Sequence, residues 1–534
     1  MKFGKNMFLV ASILLFSYVF GLPSAQAAHL VDLEDHWAKS NIEKVLNLGI
    51  AGGYPDQFFG PDQLITRAEF IKILVKAGWV RPVINKNEQP AFQDVGWEHW
   101  ASPYLEAAAA LGIVAGEGSP DRYFKPERVI TRAEMAAMSG RLLAVEHLPG
   151  VPATEAGLQK NWMAAMKNEG IICGYPDGSL GENNGLTRAE ACSVVLRLKE
   201  RLLAVQADRE RQWINTAQGP DGYITMAGDR PDIIPYFGNL TGMAQLDQPE
   251  ELAGVKKYLE WNFANLNYPD RWGLNGTIYD YSLKDGVARS VYDYDSADSY
   301  AATLLSLAAG YYLSSGDLNF IREHYRDLST VSEVITTLQD SDGLIWVKPN
   351  LQIKYLMDNC ECYRGLKDWS DLLAELGYKE WSGLYAGKAE LIKQGILEQL
   401  WDDQTASFAW AVDHDKNKYL FSPGKSYPGL FAQIYPVTFG VISPASEKAG
   451  LAYQKLNEEL PRWAELEVGD PFPWAILGYA AVIMEDLVRA DRFLENCRFT
   501  YISRERPYPW STFESAFYVR ACDELRENIR AGFN

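Results

Sequence analysis

Histidine and cysteine are both scarce in this 534-residue chain, with six of each. Beyond residue 205 the only histidines are His324 and His414, and no His-Glu-x-x-His or Cys-x-x-Cys occurs, which removes the usual zinc sites. A Gly-x-Ser-x-Gly elbow, a Walker A loop and Gly-x-Gly-x-x-Gly are also missing, so esterase, NTPase and dinucleotide chemistry have no motif to rest on and no cofactor is implied. Basic residues are outnumbered 51 to 70, giving a formal charge of -19 and arguing against a nucleic-acid partner. An acidic chain can still bind an acidic sugar locally, so the charge leaves the glycan open. Past the N-terminus no stretch reaches eighteen uninterrupted apolar residues, so no membrane span is expected. The cysteines are too few for a disulfide scaffold. Cys360 and Cys362 would diverge on a helix; Cys173 with Cys192, or Cys497 with Cys522, could pair, but unpaired buried thiols are expected instead.

What is present begins with an export signal. Lys2 and Lys5 precede an apolar run from Met7 to Phe20 and the small-residue site Ala25-Gln26-Ala27, so residues 1–27 read as a signal peptide cut after Ala27. No cysteine lies near the cut, which argues against lipid attachment. With 47% hydrophobic and 13% aromatic residues, the rest has material for two globular units.

Thr-Arg-Ala-Glu then occurs three times, at Thr66 to Glu69, Thr131 to Glu134 and Thr187 to Glu190. His36-Trp37, Leu48-Gly49-Ile50 and Gly53-Tyr54-Pro55-Asp56 precede the first copy. His99-Trp100, Leu111-Gly112-Ile113 and Pro120-Asp121 precede the second, and Trp162, Glu169-Gly170-Ile171 and Gly174-Tyr175-Pro176-Asp177-Gly178 the third. Such self-similarity implies one supersecondary unit used three times, each copy burying its neighbour's apolar face. The windows 29–84, 90–145 and 152–203 resemble the S-layer homology (SLH) family, although the third lacks the Phe-x-Asp-Val opening seen at Phe92 to Val95. The resemblance implies a protein outside the membrane, in the cell wall or S-layer, whose partner is an acidic, often pyruvylated, secondary cell-wall polymer.

Thr followed three residues later by Glu is a capping box that starts a helix, and this accounts for both residues. It does not account for Arg67, Arg132 and Arg188, which place a cation where the helix dipole disfavours it. A guanidinium beside free backbone N–H groups would make a carboxylate site, so these three arginines are the candidate wall-polymer ligands. Surface ion pairing is the plainer alternative.

After Leu203 the composition shifts, and eleven of sixteen tryptophans lie from Trp213 onward. Residues 206–534 form the second unit. Six lead-ins there precede apolar helical runs: Asp232 to Tyr236, Asp295 to Asp298, Asp358 to Glu361, Tyr427 to Gly429, Asp470 to Trp474 and Pro509 to Glu514. Between them lie charged amphipathic runs, read as external partners of buried helices. This layout, with the stretch Tyr294 to Leu305, resembles the six-hairpin glycosidase superfamily. The expected class is therefore all-α: an (α/α)6 six-hairpin barrel preceded by three helical SLH repeats. The sixth outer helix is open between residues 192–211 and none.

The resemblance implies a cleft where the lead-ins converge. Glycoside hydrolysis needs two carboxyl groups, one protonated and one ionised. Asp298, Asp358 and Asp470 are the leading candidates, with Asp295 and Glu361 behind them. Capping is the alternative for the Asp295/Asp298 and Asp358/Glu361 pairs and for Asp470, and the stronger reading for Glu514, which would complete a capping box with Ser511. Tyr236, Tyr294, Tyr363, Trp474 and Trp510 are candidate sugar platforms, with Trp272 and Trp346 reaching in from loops. Calcium on Asp340, Asp342, Asp402 and Asp403 stays open beside a solvated turn at Asp340 to Gly343. The leading function is hydrolysis of a polysaccharide or oligosaccharide. A polysaccharide lyase, a non-catalytic sugar-binding protein and a structural S-layer component are the alternatives.

Overall fold

A computed structural model describes residues 30–54, 57–82, 84, 86–87, 89–116, 123–145, 158–175, 177–422 and 424–531, and in 158–161 the backbone alone. The expected signal peptide lies outside these residues, as do the Pro-Asp pairs at 55–56 and 120–121.

The repeats contribute α1 (Lys39–Asn47), α2 (Arg67–Ala77), α3 (Ser102–Ala110), α4 (Arg132–Val145), α5 (Leu158–Asn168) and the start of α6 (Arg188–Thr216). Thr66 and Thr187 each take part in a complete capping box with the following glutamate. Thr131 and Glu134 exchange the same bonds, at 3.0 and 3.3 Å. Each exchange satisfies two otherwise orphaned donors and stabilises its helix by about 1 kcal/mol.

Three backbone bonds tie the copies together cyclically: the Ile65 amide donates to Leu186, that of Leu186 to Ile130, and that of Ile130 to Ile65. The arginines follow the same rotation. Arg67 reaches into the second copy, donating to the Phe124 carbonyl at 2.8 Å and to Glu134 at 2.6 Å. Arg132 reaches the third, onto the Leu180 and Cys173 carbonyls and Glu190. Arg188 closes the cycle on the Phe59 and Gly52 carbonyls of the first. Each guanidinium also covers an aromatic ring, at 4.5 Å for Arg67 over Phe124 and 4.7 Å for Arg132 over Tyr175.

The expectation of free N–H groups beside these arginines is corrected. The amides of Arg67 and Ala68 donate to the Arg128 and Pro126 carbonyls, those of Arg132 and Ala133 to Asn184 and Glu182, and those of Arg188 and Ala189 to Gln63 and Pro61. The macrodipole is met by carbonyls of the next repeat.

Helix α6 runs unbroken for 29 residues through the position where the composition changes. In the second unit follow α7 (Pro235–Met243), α8 (Leu252–Ala264), α9 (Asp298–Ser315), α10 (Leu318–Glu323), α11 (Tyr325–Leu338), α12 (Leu356–Glu375) and α13 (Lys379–Gly395). Next come α14 (Tyr435–Thr438), α15 (Glu447–Glu459), α16 (Ile476–Ile483), α17 (Leu487–Thr500) and α18 (Thr512–Arg530). Packing runs α7 to α9, α9 to α12, α12 to α14, α14 to α16, α16 to α18, and α18 back to α7. Outside them, α8 and α11 lie on α9, α13 on α12, α17 on α16, and α15 on the 3-10 turn Phe431–Ile434 that leads into α14. Helix α18 packs on α6, the helix that spans residues 192–211.

Glu210, fully buried on α6, fixes that junction by accepting from Arg506, the Trp510 indole and Ser515. Lys199 lies buried between Asp491 at 2.5 Å and the Trp79 ring at 3.9 Å, and the Trp79 indole also donates to Asp491. The repeats and the second unit are therefore joined by a shared helix and by a desolvated ion pair.

The second unit is mostly helical but not purely so. Among the described residues eight short strands occur: β1 (Asp232–Ile233), β2 (Tyr281–Lys284), β3 (Val287–Ser290), β4 (Ile353–Tyr355), β5 (Trp401–Asp402), β6 (Ser407–Phe408), β7 (Ala411–Asp413) and β8 (Lys418–Tyr419). They form antiparallel sheets ordered β1-β2-β3, β4-β7-β8 and β5-β6. The turn between β2 and β3 places Asp285 and Gly286 at φ of 55° and 76°, the left-handed pair a two-residue hairpin requires. Lys354 on β4, buried against Trp346, bridges Asp340 and Asp342 at 2.6 and 2.7 Å. An ammonium thus stands between the carboxylates considered for calcium. All six cysteines are free, five buried and Cys173 exposed.

Candidate functional site

All six lead-ins reach one cavity of about 470 Å³. Helix α7 contributes Tyr236 and Phe237; α9 and its approach Asp295, Ser296, Ser299 and Tyr300; α12 Met357 and Asp358. From the other side come Tyr427 and Tyr435, then Asp470, Phe472 and Trp474 ahead of α16, and Ser511, Phe513 and Glu514 at α18. Among the described lining residues there are five carboxyl groups and no lysine, arginine or histidine.

Asp358 sits in the first turn of α12 and is half-buried. Its exposed part faces the cavity rather than the outer surface, and burial, with repulsion from Asp295, pushes the carboxyl up to about 7. Glu514, in the first turn of α18, is 1% exposed, and burial likewise pushes it to about 7. Its amide is capped by Ser511 as expected, but its carboxylate accepts the Ala475 N–H at 2.6 Å at the start of α16. That is a link between helices, where the sequence suggested a reciprocal box. Asp280, beside β2, is raised to about 7 by burial and lies 2.9 Å from the Tyr300 hydroxyl that donates to it.

The sequence candidates divide. Asp295, Asp358, Asp470, Tyr236 and Trp474 line the cavity. Asp470 accepts from the Phe472 amide and from the Trp474 indole at 3.0 Å, which aims that ring onto Tyr427 at 5.1 Å in a stacked pair. Asp298 and Glu361 are not on the lining. They lie buried beside Asp358, both pushed well above the usual carboxylate range by burial first and Asp358 second, and Asp298 Oδ2 and Glu361 Oε2 have no hydrogen-bond partner. Tyr236 donates to Glu361 Oε1 at 2.7 Å, connecting the cavity to this carboxyl layer.

Tyr294, Tyr363 and Trp510 do not line the cavity either. Tyr294 is buried on Asp270 at 2.7 Å, and Trp510 is locked on Glu210. The alternation of tyrosine with small residues does not say which ring faces inward. Trp272 packs on Tyr294, and Trp346 lies under Lys354. The sequence reading missed Asp280 as a lining residue and held Tyr427 and Phe513 within the lead-ins but not as sugar platforms; the Asp285-Gly286 hairpin turn is the signal that could have placed Asp280 at a sheet edge.

Comparison with known proteins follows the two-part architecture. The S-layer homology domain family matches residues 31–71, 92–136 and 162–192, so the chain carries three SLH repeats, and these mark a cell-surface protein. A cellulosome-anchoring protein of Acetivibrio thermocellus is 36% identical over 158 residues, covering 28% of this chain and 34% of that protein. An uncharacterized cell wall amidase of Bacillus anthracis is 31% identical over 166 residues, covering 30% of each. The chain thus spans about a third of the length of these curated relatives. Among solved structures, a wild-type glycosidase superposes on 61% of this chain and 98% of its own, with TM-score 0.45 and 14% identity. A GH78 family rhamnosidase of Bacillus sp. GL1 superposes on 56% of this chain and 36% of its own, with TM-score 0.36 and 10% identity. No described helix is long and apolar enough to cross a membrane.

Proposed function

We propose that this cell-surface protein hydrolyses a glycosidic bond in the cavity of its second unit while its repeats hold it on an acidic wall polymer. One observation carries the catalytic reading: Asp358 and Glu514 enter a single aromatic-walled cavity from helices α12 and α18. In the neighbour order two helices separate α12 from α18 on either side, which supports an (α/α)6 barrel with its acids on opposite walls. Asp358, beside the charge of Asp295, keeps its proton near neutral pH and donates it to the glycosidic oxygen. Glu514, with an N–H already aimed at its carboxylate, serves when ionised as base or nucleophile. Trp474, Tyr427 and Phe513 supply flat faces for the sugar.

A lyase acting on a uronic acid is less well supported, because its substrate carboxylate would face five carboxyl groups and no cation among the described lining residues. The decisive experiment incubates the full chain with bacterial, plant and storage glycans while reducing ends and unsaturated-sugar absorbance are followed. New reducing ends without unsaturation, lost in Asp358→Asn and Glu514→Gln, are expected. Sugar binding with no product would instead make the cavity a lectin site, and ordered sheets without sugar affinity would make the barrel a lattice component.

For the anchor, the arginines keep the roles of wall ligands only where their forks remain reachable. Arg188 is the more exposed, with 12% of its side chain accessible against 4% and 5% for Arg67 and Arg132. Exposed Tyr54, whose ring the Arg188 guanidinium covers, provides the adjoining apolar surface, and Trp37 and Trp100 are exposed elsewhere on the repeats. Sedimentation of the chain with purified walls, lost in Arg188→Ala, tests this reading.

A further inference from the structure

A second chamber of about 390 Å³ opens beside the first, and the two share Asp295, Met357, Asp358 and Tyr427. The shared residues include the carboxyl assigned as proton donor, so a bond positioned for protonation has one side in each chamber. The larger chamber holds the remaining carboxyls and serine hydroxyls. The smaller one adds only Val347, Leu351, Tyr355, Trp410 and Pro428 of its own. No amide, carboxylate or cationic side chain is among these five. Trp410 and Tyr355 stand nearly parallel, 13° apart with centroids 6.1 Å from each other, and the Trp410 indole N–H is directed to the Leu420 carbonyl. Tyr355 lies on β4 and Trp410 immediately precedes β7, so the two rings are set by the β4-β7 pairing.

A pyranose in this chamber would find side-chain partners in Asp295, Asp358 and Tyr427 at the shared side and in the Tyr355 hydroxyl, whereas hydroxyl groups turned toward Val347, Leu351, Trp410 and Pro428 would lose water unpaired, at about 1–3 kcal/mol each. A flat apolar group loses nothing of that kind and gains stacking. We propose that the smaller chamber is the leaving-group subsite and takes an uncharged aryl aglycone stacked against Trp410. This rests on the hydrolase reading of the larger chamber. In the reaction the Asp358 proton passes to the glycosidic oxygen as the bond to the anomeric carbon breaks. Water supplies hydroxide to that carbon and its remaining proton to the opposing carboxylate, and the aglycone leaves as a phenol.

The test uses the full chain with 4-methylumbelliferyl glycosides of the common neutral hexoses, the matching methyl glycosides and the matching disaccharides. Affinity is read by calorimetry and release by fluorescence or reducing ends. For the preferred hexose, the aryl glycoside is expected to bind at least about tenfold tighter than the methyl glycoside. Trp410→Ala should bring that ratio to within about twofold, while Trp410→Phe, which keeps a flat face, should retain most of it. Equal aryl and methyl affinities, or a disaccharide bound tighter than the aryl glycoside, overturn the subsite while leaving hydrolysis intact. Tight aryl binding without release, still dependent on Trp410, upholds aryl binding in the smaller chamber and overturns both the hydrolase reading and the leaving-group role. Failure of every glycoside to bind overturns both.

Discussion

Asp358 and Glu514 occupy the same kind of position, the first turn of a helix, on two helices that reach one cavity from opposite places in the packing order. Each is pushed by burial to about 7, so near neutral pH the pair holds about one proton.

That state sets a pH profile. Hydrolysis should follow a bell with its maximum near pH 7, falling on the acid side as both carboxyls become protonated and on the alkaline side as both ionise. An optimum near pH 4–5, where exposed carboxyls titrate, would contradict the burial argument.

The same shift affects stability. Glu514 binds its proton more tightly folded than unfolded, so its contribution is fully present below the unfolded carboxyl range and is lost as pH rises through about 7. The local slope is about 1.4 kcal/mol per pH unit while the folded form is protonated and the unfolded form is not. Glu514→Gln should flatten the decline in melting temperature between pH 5 and 8, and thermal melts across that range measure it.

Substitution should separate the carboxyls by role. Asp358→Asn and Glu514→Gln are each expected to lower kcat by about 10²–10⁴ with the melting temperature at pH 5 kept. Asp295→Asn, which removes the repulsion that helps raise Asp358, should shift the alkaline limb of the pH profile toward acid more than it changes the maximal rate.

In the anchor, Arg67→Ala would leave Glu134 with Arg128 and Thr131 but unpair the Phe124 carbonyl, at a cost of about 1–3 kcal/mol. Loss of wall binding should then come with a lower melting temperature. Trp37→Ala, at a side chain 64% exposed, should weaken wall sedimentation without that shift.

Helix α12 approaches α9 so closely that a Cβ at Gly365 would stand 2.5 Å from the Ala302 carbonyl oxygen. Gly365→Ala should destabilise the protein by about 1–3 kcal/mol and, by parting the helices that carry Asp295 and Asp358, lower sugar affinity as well. Calorimetric melting and binding report the two effects.

The sequence by itself determined whatever is local or periodic: the three capping boxes, the repeated unit, and the lead-ins that open α7, α9, α16 and α18. Threonine, glutamate and proline act on the backbone within one turn, so their effect is written in consecutive residues. The tertiary structure alone decided which side chains meet. Arg67 and Glu134 pair across 67 residues, Trp510 turns to Glu210 on a helix 300 residues earlier, and Asp280 reaches the cavity by way of a hairpin. Burial, partner and charge environment are long-range quantities, set only when distant segments pack, and these are what distinguish Asp358 at the cavity wall from Asp298 beneath it.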